Sequence, residues 1–272
     1  MDWKKAKMLM IYLFIVLDIF LGYYYFEQKR DVVDNFDVEE VLGENNIKLD
    51  AKIPTSISRN LLEVNYKLFG EQDIIDMFFD EPDIKSTGGS TIFTEGDKNL
   101  VLLNKKQFIF NDTPKVGQVS INNEKEAQKF ATEFLKDRGL YINLLPVNVK
   151  KQEENLYSVE YEQIELETGF FLEDCFCIVY VTNNGIRTIK YQVFDSVKKT
   201  QDVMRLSHPK RKLLKIVSEP IAKDRTIVGV SINYSFNPSN LPLVENVDKI
   251  TGGIAKLALR VELDNGVIIQ IE

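Results

Sequence analysis

The hydropathy pattern opens with its strongest feature, an apolar run at Met8–Phe26 (MLMIYLFIVLDIFLGYYYF), nineteen residues carrying one formal charge, Asp18. As a helix rising about 1.5 Å per residue it reaches roughly 28 Å, close to the ~30 Å hydrocarbon core of a bilayer. No later apolar run approaches this length. The pattern predicts a membrane span over residues 8–26, a short cytoplasmic N-terminus at 1–7 and a charged juxtamembrane linker at 27–35. A cleaved signal peptide is the competing reading, and Lys4, Lys5 and Lys7 would supply its basic start. The run closes on Gly22-Tyr23-Tyr24-Tyr25-Phe26, which contains no small-residue cleavage triplet and suits an interfacial aromatic belt. Three lysines and the free amine ahead of the span, against Lys29 and Arg30 behind it, orient the N-terminus inward and the remaining chain outward. The expected location is the cell membrane, single-pass, with the bulk of the chain extracytoplasmic.

Asp18 is the exception within the span. An acid at the centre of a lone span costs about 2.5–3.5 kcal/mol on insertion scales and usually faces a partner. Helical spacing places Ile11, Phe14, Asp18, Leu21, Gly22 and Tyr25 on one face, and Gly22 removes bulk where a second helix could approach. This face is the expected partner interface. The bland alternative is a protonated Asp tolerated by an otherwise apolar segment.

Beyond the span, periodicity alternates between helix and strand. Phe36–Glu44 reads as a short amphipathic helix ending near Gly43. Strand patterns follow at Ile47–Ile53 and Leu61–Leu68, then a helix with Ile74, Ile75, Phe78 and Phe79 inward, closed by Glu81-Pro82. Ser90–Glu95, Leu100–Asn104 and Gln107–Phe110 read as a meander, with Gly88-Gly89 and Gly96-Asp97 as turns. The clearest helix begins at Asn123, an N-cap with Glu126 completing a capping-box pattern. Its stripe is Ala127, Phe130, Ala131, Phe134 and Leu135, and Gly139 supplies the C′ residue. Val147–Lys151, Leu156–Ile164, Cys175–Thr182 and Ile186–Phe194 then read as strands, the last two joined by an Asn183-Asn184-Gly185 turn. Lys198–Arg225 is locally basic, and Pro209–Val217 within it reads as a short helix that turns Leu213, Leu214 and Val217 inward; a solvated face, and a site for anionic wall polymer or lipid headgroups, are its readings. Thr226–Phe236 and a final hairpin around Asp264-Asn265-Gly266 close the chain. The predicted fold class is α+β: one N-terminal transmembrane helix, then two extracytoplasmic helix-on-antiparallel-sheet domains, 36–120 and 121–272.

Composition narrows the chemistry. Setting aside Lys4, Lys5, Lys7, Lys29, Arg30, Asp2, Asp18 and Glu27 leaves 29 bases and 38 acids beyond residue 30, a net charge of −9. An acidic exterior argues against general nucleic-acid or anionic-membrane binding. Cys175 and Cys177 occupy i and i+2 of one strand, which reads as core packing and not as a bridge. With His208 as the only histidine, the sequence offers no metal set and implies no cofactor. There is no GxSxG elbow, P-loop, GxGxxG or HExxH, so no catalytic constellation is expected; paired acids for glycoside chemistry stay open because their spacing is tertiary.

The opening Met-Asp-Trp-Lys-Lys-Ala-Lys, running into Leu17-Asp18-Ile19-Phe20-Leu21-Gly22-Tyr23, resembles the YycI (WalI) family. The remainder resembles that family in layout: the helix near Phe36–Gly43, the later helix-meander unit, Gly229–Tyr234 and the terminal hairpin. Asn233-Tyr234 stands where the family favours Gly-Tyr. The resemblance implies a membrane-embedded accessory regulator, not an enzyme, of the WalK/WalR (YycG/YycF) cell-wall two-component system of Gram-positive bacteria. It also implies two partners, the sensor histidine kinase (WalK/YycG-like) and a sister accessory protein (YycH-like), met through the span and the exterior domains. An anchored envelope-polymer-binding or wall-processing protein is the alternative.

Overall fold

Alternating apolar and polar positions resolve into a mixed α+β architecture of many strands and few helices. The computed structural model describes residues 12–23, 38–114, 119, 121–238 and 249–272. The expected segments 1–7 and 27–35 lie outside the described residues. Residues 12–23 are helical (α1). The chain divides into two units, one comprising Met1–Ser56, Ser207–Val230 and Val261–Ile271, the other Ile57–Leu206 and Ser231–Arg260 with Glu272.

In the first unit, α2 (Val38–Glu44) turns Val38 and Leu42 inward, one helical turn apart. Its end is closed by N–H donation from Asn45 and Ile47 to Leu42 O and from Asn46 to Gly43 O. β1 (Lys48–Leu49) then pairs in parallel with Thr226 and Ile227. The helix expected at Pro209–Val217 is α5 (Pro209–Leu213) followed by a 3-10 turn, Leu214–Ser218. That tightening changes which residue is buried. At three residues per turn, i and i+3 eclipse, so Leu213 and Ile216 go inward while Val217, expected inside, is only partly covered. The hairpin at Asp264-Asn265-Gly266 closes with Leu263 N–H donating to Val267 O and Gly266 N–H to Leu263 O.

The second unit is built on an eight-stranded antiparallel sheet, in the order β3 (Asp83–Thr87), β4 (Ser90–Glu95), β5 (Lys98–Leu103), β6 (Gln107–Asn111), β10 (Gly185–Gln192), β9 (Phe176–Thr182), β8 (Leu156–Gln163) and β7 (Leu144–Glu153). One cross-strand row spans all eight strands: Ile84, Phe93, Leu100, Phe110, Ile189, Val179, Val159 and Val149. Helices α3 (Glu71–Phe78) and α4 (Glu124–Asp137) lie on that face and bury Ile74, Phe78, Ala127, Ala131 and Leu135 against it. The ends of α4 follow the sequence closely. Asn123 Oδ1 accepts from Glu126 N–H at 3.0 Å, and Gly139 adopts φ +64°. Glu126 reaches one residue further back than a capping box prescribes, accepting from Asn122 N–H at 2.8 Å.

Because β6 hydrogen-bonds to β10, one sheet carries residues from both sides of position 120. Strands of both helix-meander units expected on either side of that position share this sheet. A second sheet has the order β1, β12 (Thr226–Ser235), β13 (Gly252–Leu263), β2 (Ile57–Tyr66) and β11 (Phe194–Leu206), with β14 (Ile268–Ile271) on β13. Two strands were not expected. All five residues of β3 are exposed, so its strand character rests on backbone pairing alone. β11 occupies the first part of the basic stretch, and its alternation is broken by a bulge between Lys199 and Val203.

Candidate functional site

Of the face expected on the span, Phe14, Asp18, Leu21 and Gly22 lie on α1, while Ile11 and Tyr25 lie outside the described residues. Every residue of α1 is exposed, its large apolar side chains by 48% (Leu17) to 67% (Ile19). A Cβ added at Gly22 would meet nothing within 4 Å. Among the described residues no helix is long and apolar enough to cross a membrane.

A second constellation, not foreseen from the sequence, is half-buried in the second unit. Arg260 on β13 holds Glu162 of β8 with both Nη atoms at 2.7 Å, and its Nη1 also donates to Glu173 Oε1 at 2.9 Å. Asn233 Nδ2 donates to the same Glu173 oxygen at 2.7 Å, and the guanidinium lies 4.8 Å from the centre of the Phe171 ring. Side-chain exposures of 11% for Arg260, 19% for Glu162 and 20% for Glu173 keep the group largely dry. Next in sequence, Asp174 sits at φ +70° and accepts from the Tyr66 hydroxyl, while its backbone carbonyl accepts from Gln192 Nε2 at 2.8 Å. Lys106 Nζ stands 5.0 Å from the Tyr66 ring centre.

The electrostatics follow from the geometry. Burial raises the Glu173 carboxyl above its ordinary range, and the opposing pull of Arg260 and Asn233 does not cancel it. Asp174 is more exposed than Glu173, and the partial burial of its carboxyl raises it against the Tyr66 hydrogen bond and the nearby Lys106. Arg260 itself moves up, because its bonds to Glu162 and Glu173 outweigh burial. Burial pushes the Cys175 and Cys177 thiols well up, which makes them inert core groups. His208 is exposed in the left-handed region at φ +51°. Among the described residues no cluster of His, Cys, Asp or Glu is suited to hold a metal ion.

Two surface clefts lie among the described residues. One, about 650 Å³, is lined by Asp112, Glu153, Glu154, Asn155, Asn183 and Arg187 among others. The other, about 430 Å³, lies between the β3–β4 and β5–β6 turns and is lined by Ser86, Thr87, Ser90, Thr91, Lys105 and Lys249 among others. His208 lines neither.

No protein-family model matches the chain, and no curated protein matches it in sequence. Solved structures do match in fold. An uncharacterized protein from Eubacterium rectale superposes with a TM-score of 0.52 at 13% identity, covering 86% of this chain and 94% of that one. YycH from Bacillus subtilis superposes with a TM-score of 0.54 at 14% identity, covering 80% of this chain. The present chain spans about half of the YycH structure, 52% of its length. The YpeB C-terminal domain from Bacillus megaterium overlaps at a TM-score of 0.38, too low to argue from. The chain therefore has a YycH-like mixed α+β fold.

Proposed function

We propose that this protein is a membrane-anchored, extracytoplasmic, non-enzymatic regulator of a sensor histidine kinase in a cell-wall two-component system, of the YycI kind. The observation that carries the reading is the pairing of two features in one chain. An apolar helix is exposed on every side at residues 12–23, ahead of a body whose fold is like that of YycH. The span meets the transmembrane helices of the kinase and of a sister accessory protein through Phe14, Asp18, Leu21 and Gly22, together with Ile11 and Tyr25. Regulation then requires this helix to bind one arrangement of the kinase helices better than another, since equal affinity for both shifts nothing.

The test is site-specific photocrosslinking of the full chain to the kinase in membranes, with the probe at position 14 or 21. The native chain is expected to crosslink, and Asp18→Leu and Gly22→Ile to reduce the yield several-fold while leaving membrane insertion intact. Loss of no crosslinking in either variant removes this face from the contact. Absence of crosslinking in the native chain sinks the reading. A second reading, an anchored binder of an envelope polymer, is favoured by the 430 Å³ cleft. In an acidic protein it gathers Lys105, Lys249 and four hydroxyl side chains, with no carboxylate among the described residues of its lining.

A further inference from the structure

Residues 164–175 connect β8 to β9, and they are fastened along their length to strands of the other sheet. Glu167 pairs with Lys199 of β11. Tyr234 N–H of β12 donates to Phe171 O, and Glu173 N–H donates back to Tyr234 O, both at 2.9 Å. The connection ends in the two adjacent acids already described. Facing Glu173 are Arg260 from β13, Glu162 from β8 and Asn233 from β12. Facing Asp174 are Tyr66 from β2, Lys106 from the β5–β6 turn and the neighbouring Cys175. Among the described residues the charges do not balance. Arg260 gives both Nη atoms to Glu162, and Glu173 shares one of them; Asp174 leans on a neutral phenol, and Lys106 directs its ammonium to Ile250 O at 3.2 Å.

We propose that Glu173 and Asp174 form a proton-operated clasp: taking up a proton here relieves the excess negative charge and tightens the 164–175 connection onto β2, β12 and β13. Mild acidification outside the cell would then stiffen this part of the protein. The direction follows from linkage. Both carboxyls bind protons more tightly in the folded chain than in the unfolded one, whose ordinary values are 4.5 for Glu and 3.8 for Asp. Between those values and the raised ones, the folded state carries the extra proton, so stability rises as pH falls and is lost again as pH climbs. Glu165, in the same connection, acts oppositely. Burial raises it, but the Thr168 hydroxyl and the N–H groups of Glu167 and Thr168 outweigh burial and lower its carboxyl below 4.5. Its contribution disappears only in stronger acid, which leaves a stability maximum in mild acid.

The experiment is amide hydrogen exchange on the full chain in detergent micelles, with protection at residues 164–175 corrected for intrinsic rates, at pH 7.5 and 5.5. The wild type is expected to gain protection at the lower pH, because the raised carboxyls take up protons in the folded chain before the unfolded one does. Glu173→Gln, an isostere of the protonated acid, is expected to show the acid-level protection at both values. A wild type whose protection in this segment is flat between pH 7.5 and 5.5 overturns the proposal, as does a Glu173→Gln chain that retains the full pH response. Carbon-13 titration of the two carboxyls in the wild type gives an independent readout if the variant is unstable; midpoints at or below the ordinary values also overturn it. None of these outcomes depends on what the span contacts.

Discussion

Replacing Arg260 with Met removes the guanidinium while keeping most of the bulk of its stem. Three hydrogen bonds are lost, two to Glu162 at 2.7 Å and one to Glu173 at 2.9 Å. The two carboxylates stay where they are, about one-fifth exposed, and without their cation they repel one another where water screens little. Breaking a buried pair by removing one partner costs about 3–5 kcal/mol, and the remaining exposure of the acids places this case near the lower end, about 3 kcal/mol. For a unit of this size, each kcal/mol moves Tm by about 2–4 °C, so the expected drop is about 6–12 °C. Thermal unfolding of the full chain in micelles measures it. Two accompaniments separate an electrostatic cause from a packing one. The deficit should shrink as pH falls through the raised Glu173 value, because a neutral Glu173 no longer needs the cation. The triple variant Arg260→Met, Glu162→Gln, Glu173→Gln should recover most of the loss, since both carboxylates are then gone. A single variant within about 1 °C of the wild type would refute the reasoning. So would a deficit that persists unchanged at low pH and in the triple variant, because that pattern belongs to a cavity.

Two further substitutions test the frame that holds this site. Gly252→Ala places a Cβ 2.3 Å from the Val64 carbonyl oxygen, and Gly253→Ala places one 2.6 Å from Cε2 of the buried Phe236 ring. Both should destabilise by about 1–3 kcal/mol in chemical denaturation, with Gly252 the worse because backbone cannot turn aside. Asn123→Ala removes the cap that accepts Glu126 N–H and should cost about 1 kcal/mol, read as faster amide exchange confined to the first turn of α4.

Local signals in the sequence were enough for those elements whose burial pattern is written in neighbouring residues. The α4 cap, stripe and Gly139 terminus, β4 at Ser90–Glu95 and the hairpin turns at Asn183-Asn184 and Asp264-Asn265-Gly266 are of this kind. Each depends on interactions reaching at most a few residues. β3 and β11 leave little trace in the sequence because their side chains are largely exposed, and an edge strand needs only backbone pairing with a neighbour. Val217 was expected inside because a 3.6-residue period was assumed where the chain tightens to three.

The sequence by itself determined that an apolar segment precedes an acidic α+β body, that no familiar catalytic motif is present, and that both cysteines sit in apolar surroundings. Those are properties of composition and short-range period. Only the tertiary structure decided which strands share a sheet across position 120, and which charges meet. Arg260 and Glu162 are 98 residues apart in the chain, Arg260 and Glu173 are 87 apart, and Tyr66 and Asp174 are 108 apart. Nothing in the local sequence of an Arg or a Glu distinguishes a solvated charge from a buried one. Its partner, and the desolvation that sets its proton affinity, exist only once distant strands have brought the two together.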